Sequence, residues 1–197
     1  MLAIIDYNAG NIQSVLFAME RLGVEATLTK DADTIRKADK VIFPGVGEAS
    51  TTMQCLRELG LDTLIPTLTQ PTLGICLGMQ LMCAYSEEND TECLGIFPQH
   101  VKRFIPKNNE KVPHIGWNTI GKLGGFLSEN LSEESHVYFV HSYYVEMSEH
   151  TIATANYVLP FSAAMQRDNF YATQFHPEKS GSIGEQILRN FLSVDSQ

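Results

Sequence analysis

The 197-residue chain reads as an α/β protein: a mostly parallel sheet flanked by helices, with antiparallel strands added in the second half. Three observations predict this. In the first half, short β-rich runs alternate with stretches of helical periodicity, the pattern of a parallel sheet covered on both faces. In the second half, runs rich in β-branched and aromatic residues follow one another without helical stretches between them. Between the two, Gly74-Ile75-Cys76-Leu77-Gly78 follows the apolar stretch Pro71-Thr72-Leu73 and opens a helical pattern, which marks a strand-to-helix turn.

Taken in order, residues 2–6 form a first strand, closed by Asp6-Tyr7-Asn8-Ala9-Gly10. Asn11 then caps a helix that runs to Leu22 and stops at Gly23. Ile12, Val15, Leu16, Met19 and Leu22 form its apolar face. Residues 25–28 are a strand, 31–38 a short helix, and 40–43 a third strand ended by Pro44-Gly45-Val46-Gly47. Residues 49–59 are helical, with Gly60 after them. The strand 72–75 delivers Cys76, and 78–85 is the helix behind it. Strand-like segments then cover 101–105, 137–145, 151–158 and 162–166, and Asp168-Asn169 turns the last of these into 170–175. They are expected as antiparallel additions at one end of the sheet. Ser182 caps a final helix over 183–194, and the loop 105–112, with Asn108-Asn109, is polar and exposed. There is no repeat, linker or low-complexity segment, so residues 1–197 are expected to form one domain.

Hydrophobic residues make up 44% of the chain and charged residues 19%, ordinary for a soluble globular protein. No apolar run approaches the roughly 20 residues that span a bilayer. Met1-Leu2-Ala3-Ile4-Ile5-Asp6 has no basic flank and reaches an acid at once, so it reads as a strand and not as a signal peptide. The formal charge of −9 comes without a compensating basic stripe, which argues against a nucleic-acid partner. Cys55, Cys76, Cys83 and Cys93 contain no C-x-x-C pair, so no zinc or redox motif is indicated, and with no secretion signal read at the start the expected setting is the cytoplasm with reduced thiols. Cys55 and Cys83 lie in apolar, helix-like stretches and read as small core residues. His100, His114, His136, His141 and His150 contain no i, i+4 pair, and neither a metal nor a cofactor is expected. His141, inside a strand-like segment, is most simply a half-buried histidine with its hydrogen bonds satisfied.

Three segments carry chemistry. Glycines two residues either side of Cys76 are what a nucleophile elbow needs, because strand and helix backbones pass close at such a turn. A thiol at a helix start also meets the positive end of the helix dipole, which favours thiolate. The bland alternative is a buried cysteine between ordinary turn glycines. His176-Pro177-Glu178 can set an imidazole and a carboxylate on one side of an extended backbone, since Pro177 keeps His176 out of the α region. The carboxylate would fix the imidazole tautomer while the imidazole takes the thiol proton. Pro44-Gly45-Val46-Gly47, at the carboxyl end of a neighbouring parallel strand, can offer an N–H to a tetrahedral oxyanion beside the amide of Leu77. That segment lacks the lysine of a phosphate loop.

Together these residues resemble the class I, triad-type glutamine amidotransferases over nearly the whole chain. The markers are Phe43-Pro44-Gly45-Val46-Gly47, Gly74-Ile75-Cys76-Leu77-Gly78-Met79-Gln80 and Gln174-Phe175-His176-Pro177-Glu178-Lys179-Ser180. Asp6-Tyr7-Asn8-Ala9-Gly10-Asn11, Pro113-His114-Ile115-Gly116-Trp117-Asn118 and Tyr138-Phe139-Val140-His141-Ser142-Tyr143 resemble one branch, the glutaminase subunits of imidazole glycerol phosphate synthase. Met79 supports that branch, since many relatives carry histidine there. The resemblance implies the single-domain amidotransferase fold and a Cys76, His176, Glu178 triad that releases ammonia from glutamine through a thioester. It implies oxyanion donors at Leu77 and among Gly45, Val46 and Gly47, and glutamine contacts at Gln80, Glu88 and the backbone of Ser142 and Tyr143. It also implies a heterodimer with a separate (β/α)₈-barrel cyclase subunit that consumes the ammonia in histidine biosynthesis, with Asn11, Trp117, Asn118, Tyr138 and Lys179 as candidates for the rim facing it. Trp117 as a plain core aromatic is the alternative for that residue. Two other readings stay open: a glutaminase serving another acceptor, such as pyridoxal phosphate synthase, or a binding subunit without catalysis.

Overall fold

The computed structural model describes residues 1–7 and 12–195. The first half alternates as its sequence pattern requires: β1 (Leu2–Ile5), α1 (Ile12–Arg21), β2 (Ala26–Thr29), α2 (Ala32–Lys37), β3 (Lys40–Gly45), α3 (Ala49–Glu58), α4 (Leu61–Leu64), β4 (Thr72–Cys76) and α5 (Leu77–Met82). The second half holds β5 (Tyr85–Ser86), β6 (Thr91–Glu92), β7 (His100–Arg103), β8 (His114–Ile120), β9 (Ser135–His141), β10 (Tyr143–Val145), β11 (Thr151–Tyr157), β12 (Leu159–Arg167), β13 (Phe170–Thr173) and the closing helix α6 (Gly181–Leu192).

Among the described residues the main sheet has seven strands in the order β11-β12-β13-β4-β3-β1-β2. The five from β13 to β2 are mutually parallel, and β12 and β11 extend the β13 edge antiparallel. One face buries Ile4, Ile42, Leu73 and Ile75 against Val15 and Met19 of α1 and Leu188 and Phe191 of α6. The other buries Ile5, Val41 and Phe43 against Met53 and Leu56 of α3 and Met79 and Leu81 of α5. Burial on both faces is why these strands are continuously apolar instead of alternating. None of the described helices is long and apolar enough to cross a membrane.

Several boundaries differ from the sequence expectation, each for a physical reason. The strand expected to stop at Phe43 runs on through Pro44 and Gly45, because β4 pairs with it as far as Gly45↔Cys76. Proline is tolerated there: Val41 N–H points to the β4 side, so alternation turns the Pro44 nitrogen toward β1, past the last pair, Ile4↔Ile42. The helix expected over 78–85 ends at Met82, since Tyr85 and Ser86 pair with β7 and with β6. The segment 137–145 is two strands broken at Ser142: β9 pairs with β8, while β10 pairs with β7. The added strands therefore do not all join one end of the main sheet. β11 and β12 do so, whereas β10-β7-β5-β6 and β8-β9 form two small sheets of their own. The last helix begins at Gly181, after Ser180 and not after Ser182. The expected cap Asn11 lies outside the described residues.

Candidate active site

Cys76 is the last residue of β4 and stands directly before α5, with φ 54° and ψ −107°. A non-glycine residue rarely adopts positive φ, and here the neighbours enforce it. β3, β4 and the start of α5 cross so closely that a Cβ at Gly78 would overlap the carbonyl oxygen of Phe43. A Cβ at Gly74 would sit 2.8 Å from the Met82 sulfur. The flanking glycines therefore let the turn that presents the thiol close.

His176 follows the end of β13 with an extended backbone, φ −96° and ψ 96°. Its N–H donates to Tyr138 O (2.9 Å), and Ser180 Oγ donates to His176 O (2.6 Å) while accepting from Tyr138 N–H (2.9 Å). The residues after it depart from expectation: residues 177–179 coil into a 3₁₀ turn instead of staying extended. The turn still brings Glu178 back, and His176 Nδ1 lies 2.8 Å from Glu178 Oε1, both side chains buried. Tight packing of α6 holds this turn, since a Cβ at Gly184 would overlap Pro177 O.

The His176 ring and the Cys76 sulfur face the same cavity and interact electrostatically. Burial alone would lower the pKa of His176, but the Cys76 sulfur and the Glu178 carboxylate outweigh it and raise the imidazole to about 10. The site thus holds His176 as imidazolium at neutral pH. The sulfur also faces Val140 O at 3.6 Å and the Gln174 amide nitrogen at 3.8 Å.

A cavity of about 310 Å³ opens over the sulfur, lined by Val46, Gly47, Leu77, Gln80, Glu88, Ser142, Tyr143 and His176, with Pro113 and Lys179 at its edge. The structure therefore brings Cys76 and His176 to one cavity with Val46, Gly47, Leu77 and every sequence-predicted glutamine contact, while Gly45 pairs with Cys76 in the sheet and Glu178 sits behind His176, neither lining the cavity. Tyr7 OH donates to Pro44 O (2.5 Å) and so braces the Pro44-Gly47 turn from beneath. Burial pushes the Tyr7 hydroxyl up, which keeps it a donor. Glu88 Oε2 accepts the Ala49 N–H at the start of α3 (2.8 Å). Burial raises the Glu88 carboxyl, the Ala49 bond opposes this, and Glu48 adds to the rise.

The candidate rim divides. Trp117 is 56% exposed and meets its cross-strand partner Tyr138 edge-on, with ring centroids 5.8 Å apart. It is not a core aromatic. Lys179 is exposed at the cavity edge. Asn118 points to the opposite face of β8 from Trp117, where its amide donates to Asn156 O (3.0 Å). Asn11 lies outside the described residues. His141 is fully inside, only 5% exposed, and belongs to a hydrogen-bond chain. Its Nδ1 donates to Tyr143 O (2.7 Å), which leaves Nε2 to accept from His114 Nδ1 (3.0 Å). Sequence reasoning missed Val140, whose carbonyl leaves no trace in a side-chain pattern. It also passed over Gln174, although two residues before His176 is a spacing that repeats a face in an extended chain.

Comparison with known proteins fits this geometry. Residues 3–194 match the family model described as glutamine amidotransferase class-I. The chain belongs to the class I glutamine amidotransferases. Among curated members, the imidazole glycerol phosphate synthase subunit HisH of Bacteroides thetaiotaomicron is 61% identical over 98% of both chains. HisH 2 of Legionella pneumophila strain Paris is 45% identical over 100% of this chain and 99% of its own. A solved glutamine amidotransferase shares the fold at TM-score 0.72, with 18% identity and 96% of each chain covered. Among the described residues of this amidotransferase, no cluster of three or more His, Cys, Asp or Glu side chains could hold a metal.

Proposed function

We propose that the chain is the glutaminase subunit of an imidazole glycerol phosphate synthase, one domain over residues 1–197 working in the cytoplasm. It would hydrolyse glutamine to glutamate and ammonia and deliver the ammonia to a separate (β/α)₈-barrel cyclase. The observation that carries this reading is the buried Cys76, His176 and Glu178 constellation at the floor of a cavity lined by Gln80, Glu88, Ser142 and Tyr143.

The chemistry follows from the charges. The Cys76 thiolate attacks the side-chain amide carbon of glutamine, and the carbonyl oxygen becomes an oxyanion. The amide of Leu77 at the first turn of α5 and N–H groups among Gly45, Val46 and Gly47 stabilise that oxyanion. Once sulfur has bonded to carbon, its negative charge no longer holds the proton on His176. The imidazolium then becomes acidic enough to protonate the amide nitrogen as its bond to carbon breaks, so that it leaves as ammonia. Water, deprotonated by neutral His176, hydrolyses the thioester and regenerates the ion pair. Glu178 keeps the imidazole in the tautomer and orientation both steps need. Glu88 would receive the substrate's α-ammonium, which favours its ionised form. The backbone N–H groups of Ser142 and Tyr143 would hold the α-carboxylate end, and the carbonyl oxygen of Gln80 would accept from a substrate N–H.

Exposed Trp117 and Lys179, with half-buried Tyr138, form the rim offered to the cyclase, with Asn11 as a further candidate. Asn118 supports that rim from the inner face of β8. Glutamate release measured with and without the purified cyclase subunit and its ribotide ligand tests the proposal. No release in any combination refutes it, and fast release by the chain alone, unaffected by the cyclase, refutes the coupling of the two subunits.

A further inference from the structure

Gln174 is wholly buried, hydrophilic, and unassigned by the chemistry above. Its amide nitrogen lies 3.8 Å from the Cys76 sulfur. An amide can be turned end for end, so its orientation must be argued from its partners. Gln80 Nε2 donates to Tyr143 O (3.1 Å) and to Gln174 Oε1 (3.0 Å). Tyr143 O is a carbonyl and can only accept, so the end of Gln80 that meets it is the NH₂ group. The second hydrogen of that NH₂ needs an acceptor, and the Gln174 oxygen provides it. The Gln174 NH₂ is then left facing sulfur. Tyr143 O also accepts from His141 Nδ1 (2.7 Å), which fills its second lone pair and fixes the chain of donors at its far end.

We infer that Gln174 is a catalytic residue of the proposed reaction: its amide N–H stabilises the Cys76 thiolate, and Gln80 is the positioning residue that turns that N–H toward the sulfur. The need for such a donor is visible at the other side of the sulfur. As a thiol, Cys76 donates to Val140 O (3.6 Å). After the proton moves to His176, the same contact sets an anion against a carbonyl oxygen, which is repulsive. A donor opposite offsets that repulsion, and burial strengthens it because no water competes. Both N–H bonds of Gln80 are spent inside the protein, so only its carbonyl oxygen remains to meet a substrate.

The inference rests on Cys76 being the nucleophile, and it is tested without glutamine. The alkylation rate of Cys76 by iodoacetamide is followed by peptide mapping from pH 5 to 9, which separates it from Cys55, Cys83 and Cys93. Gln174→Met keeps the length and removes the donor. Gln80→Met keeps the donor and removes what aims it. Other ionisable groups around the sulfur are unchanged in both: His176 and Glu178 from the 3₁₀ turn, Tyr7 beneath, His141 and Tyr143 from the second-half strands, and Glu88 and Lys179 across the cavity. The expected midpoint rises by roughly one pH unit in Gln174→Met and by less in Gln80→Met. A purely structural role would lower thermal stability and leave the midpoint in place, and an unmoved midpoint overturns the inference. If Gln174→Met fails to fold, the wild-type protein still decides the matter. The side-chain amide resonances of Gln174 should shift when Cys76 is alkylated, and resonances that stay put overturn the inference equally. Glutamate release by wild-type protein and its loss in Cys76→Ala are measured separately, so a failure of the proposed activity is distinguishable from a failure here.

Discussion

The buried pair His114 and His141 should make the protein lose stability between about pH 6.5 and pH 5, before most carboxylates titrate. Both rings are at most 5% exposed and are packed among Phe104, Phe139, Tyr157 and Phe161. Burial lowers His114 to about 4. Burial lowers His141 to about 3, with the charges of His114 and His176 adding and the Tyr143 carbonyl opposing. A folded pKa below the unfolded one gives stability that is present above the unfolded value and lost as pH falls toward the folded one. Over the window from pH 6.5 to 5 the unfolded chain takes up both protons while the folded chain takes up neither. At about 1.4 kcal/mol per unit, the pair costs roughly 3 kcal/mol there, a large share of a typical domain's stability. His176 does not offset this. Its pKa is raised to about 10, so its contribution is present below about 6.5 and lost only as pH rises toward 10. Urea unfolding followed by far-ultraviolet circular dichroism at half-unit pH steps measures the slope. A double variant, His114→Phe with His141→Gln, should flatten it while keeping a ring in the stack and a donor for Tyr143 O. Parallel curves for the two proteins, or a flat wild-type curve in that window, would refute the reasoning.

Four further outcomes follow from the same geometry. Glu178→Gln should lower kcat for glutamine by about 10²- to 10⁴-fold with a much smaller change in KM, because the carboxylate acts through His176; steady-state kinetics separate the two. Ser180→Ala removes the hydroxyl that ties His176 O to Tyr138 N–H, and should cost about 1–3 kcal/mol in chemical unfolding together with a fall in kcat. Gly78→Ala sets a methyl against Phe43 O and should destabilise by about 1–3 kcal/mol while displacing the thiol, so that glutamate release falls even in protein that remains folded. Glu88→Gln should raise KM more than it lowers kcat, since Glu88 lines the cavity away from the triad.

Most of the main sheet was legible because its strands are buried on both faces and spaced by helices with one apolar stripe. The elbow was legible for a different reason: Gly78 is required by backbone crossing, since a Cβ there would overlap Phe43 O, and a Cβ at Gly74 would press on Met82 Sδ and on the backbone at the start of α5. What the sequence did not disclose depends on long-range pairing. Nothing local says that 137–145 breaks at Ser142, because the break comes from β9 and β10 choosing different partners, β8 and β7. Similarly, Tyr85 and Ser86 have neighbours that suit a helix, but β7, reached fifteen residues later, claims them as a strand. In the site, side chains with recognisable chemistry were found and backbone partners were not. Val140 O and Tyr138 O carry no residue signature. Asn118 was assigned to the same face as Trp117 without applying the strand period, which sends adjacent residues to opposite faces.

That period explains how one strand organises the whole site. Along β9, Val137, Phe139 and His141 turn into the core, while Tyr138 and Val140 turn to the other face. The backbone of the same strand accepts the His176 N–H at Tyr138 O and the Cys76 thiol at Val140 O. Cys76 and His176 are thus both referenced to carbonyls two residues apart on one strand. A one-residue slip of β9 against β8 would reverse every side chain and separate those carbonyls from both partners at once. The register against such a slip is held by seven consecutive pairs from His114↔His141 to Ile120↔Ser135, and one of those pairs is Trp117↔Tyr138. A group pressing on the exposed Trp117 therefore acts on the strand that fixes His176, and only the Tyr138 peptide separates the contact from the imidazole's backbone. The Trp117–Tyr138 edge thus joins the protein surface to His176 through the backbone of one strand.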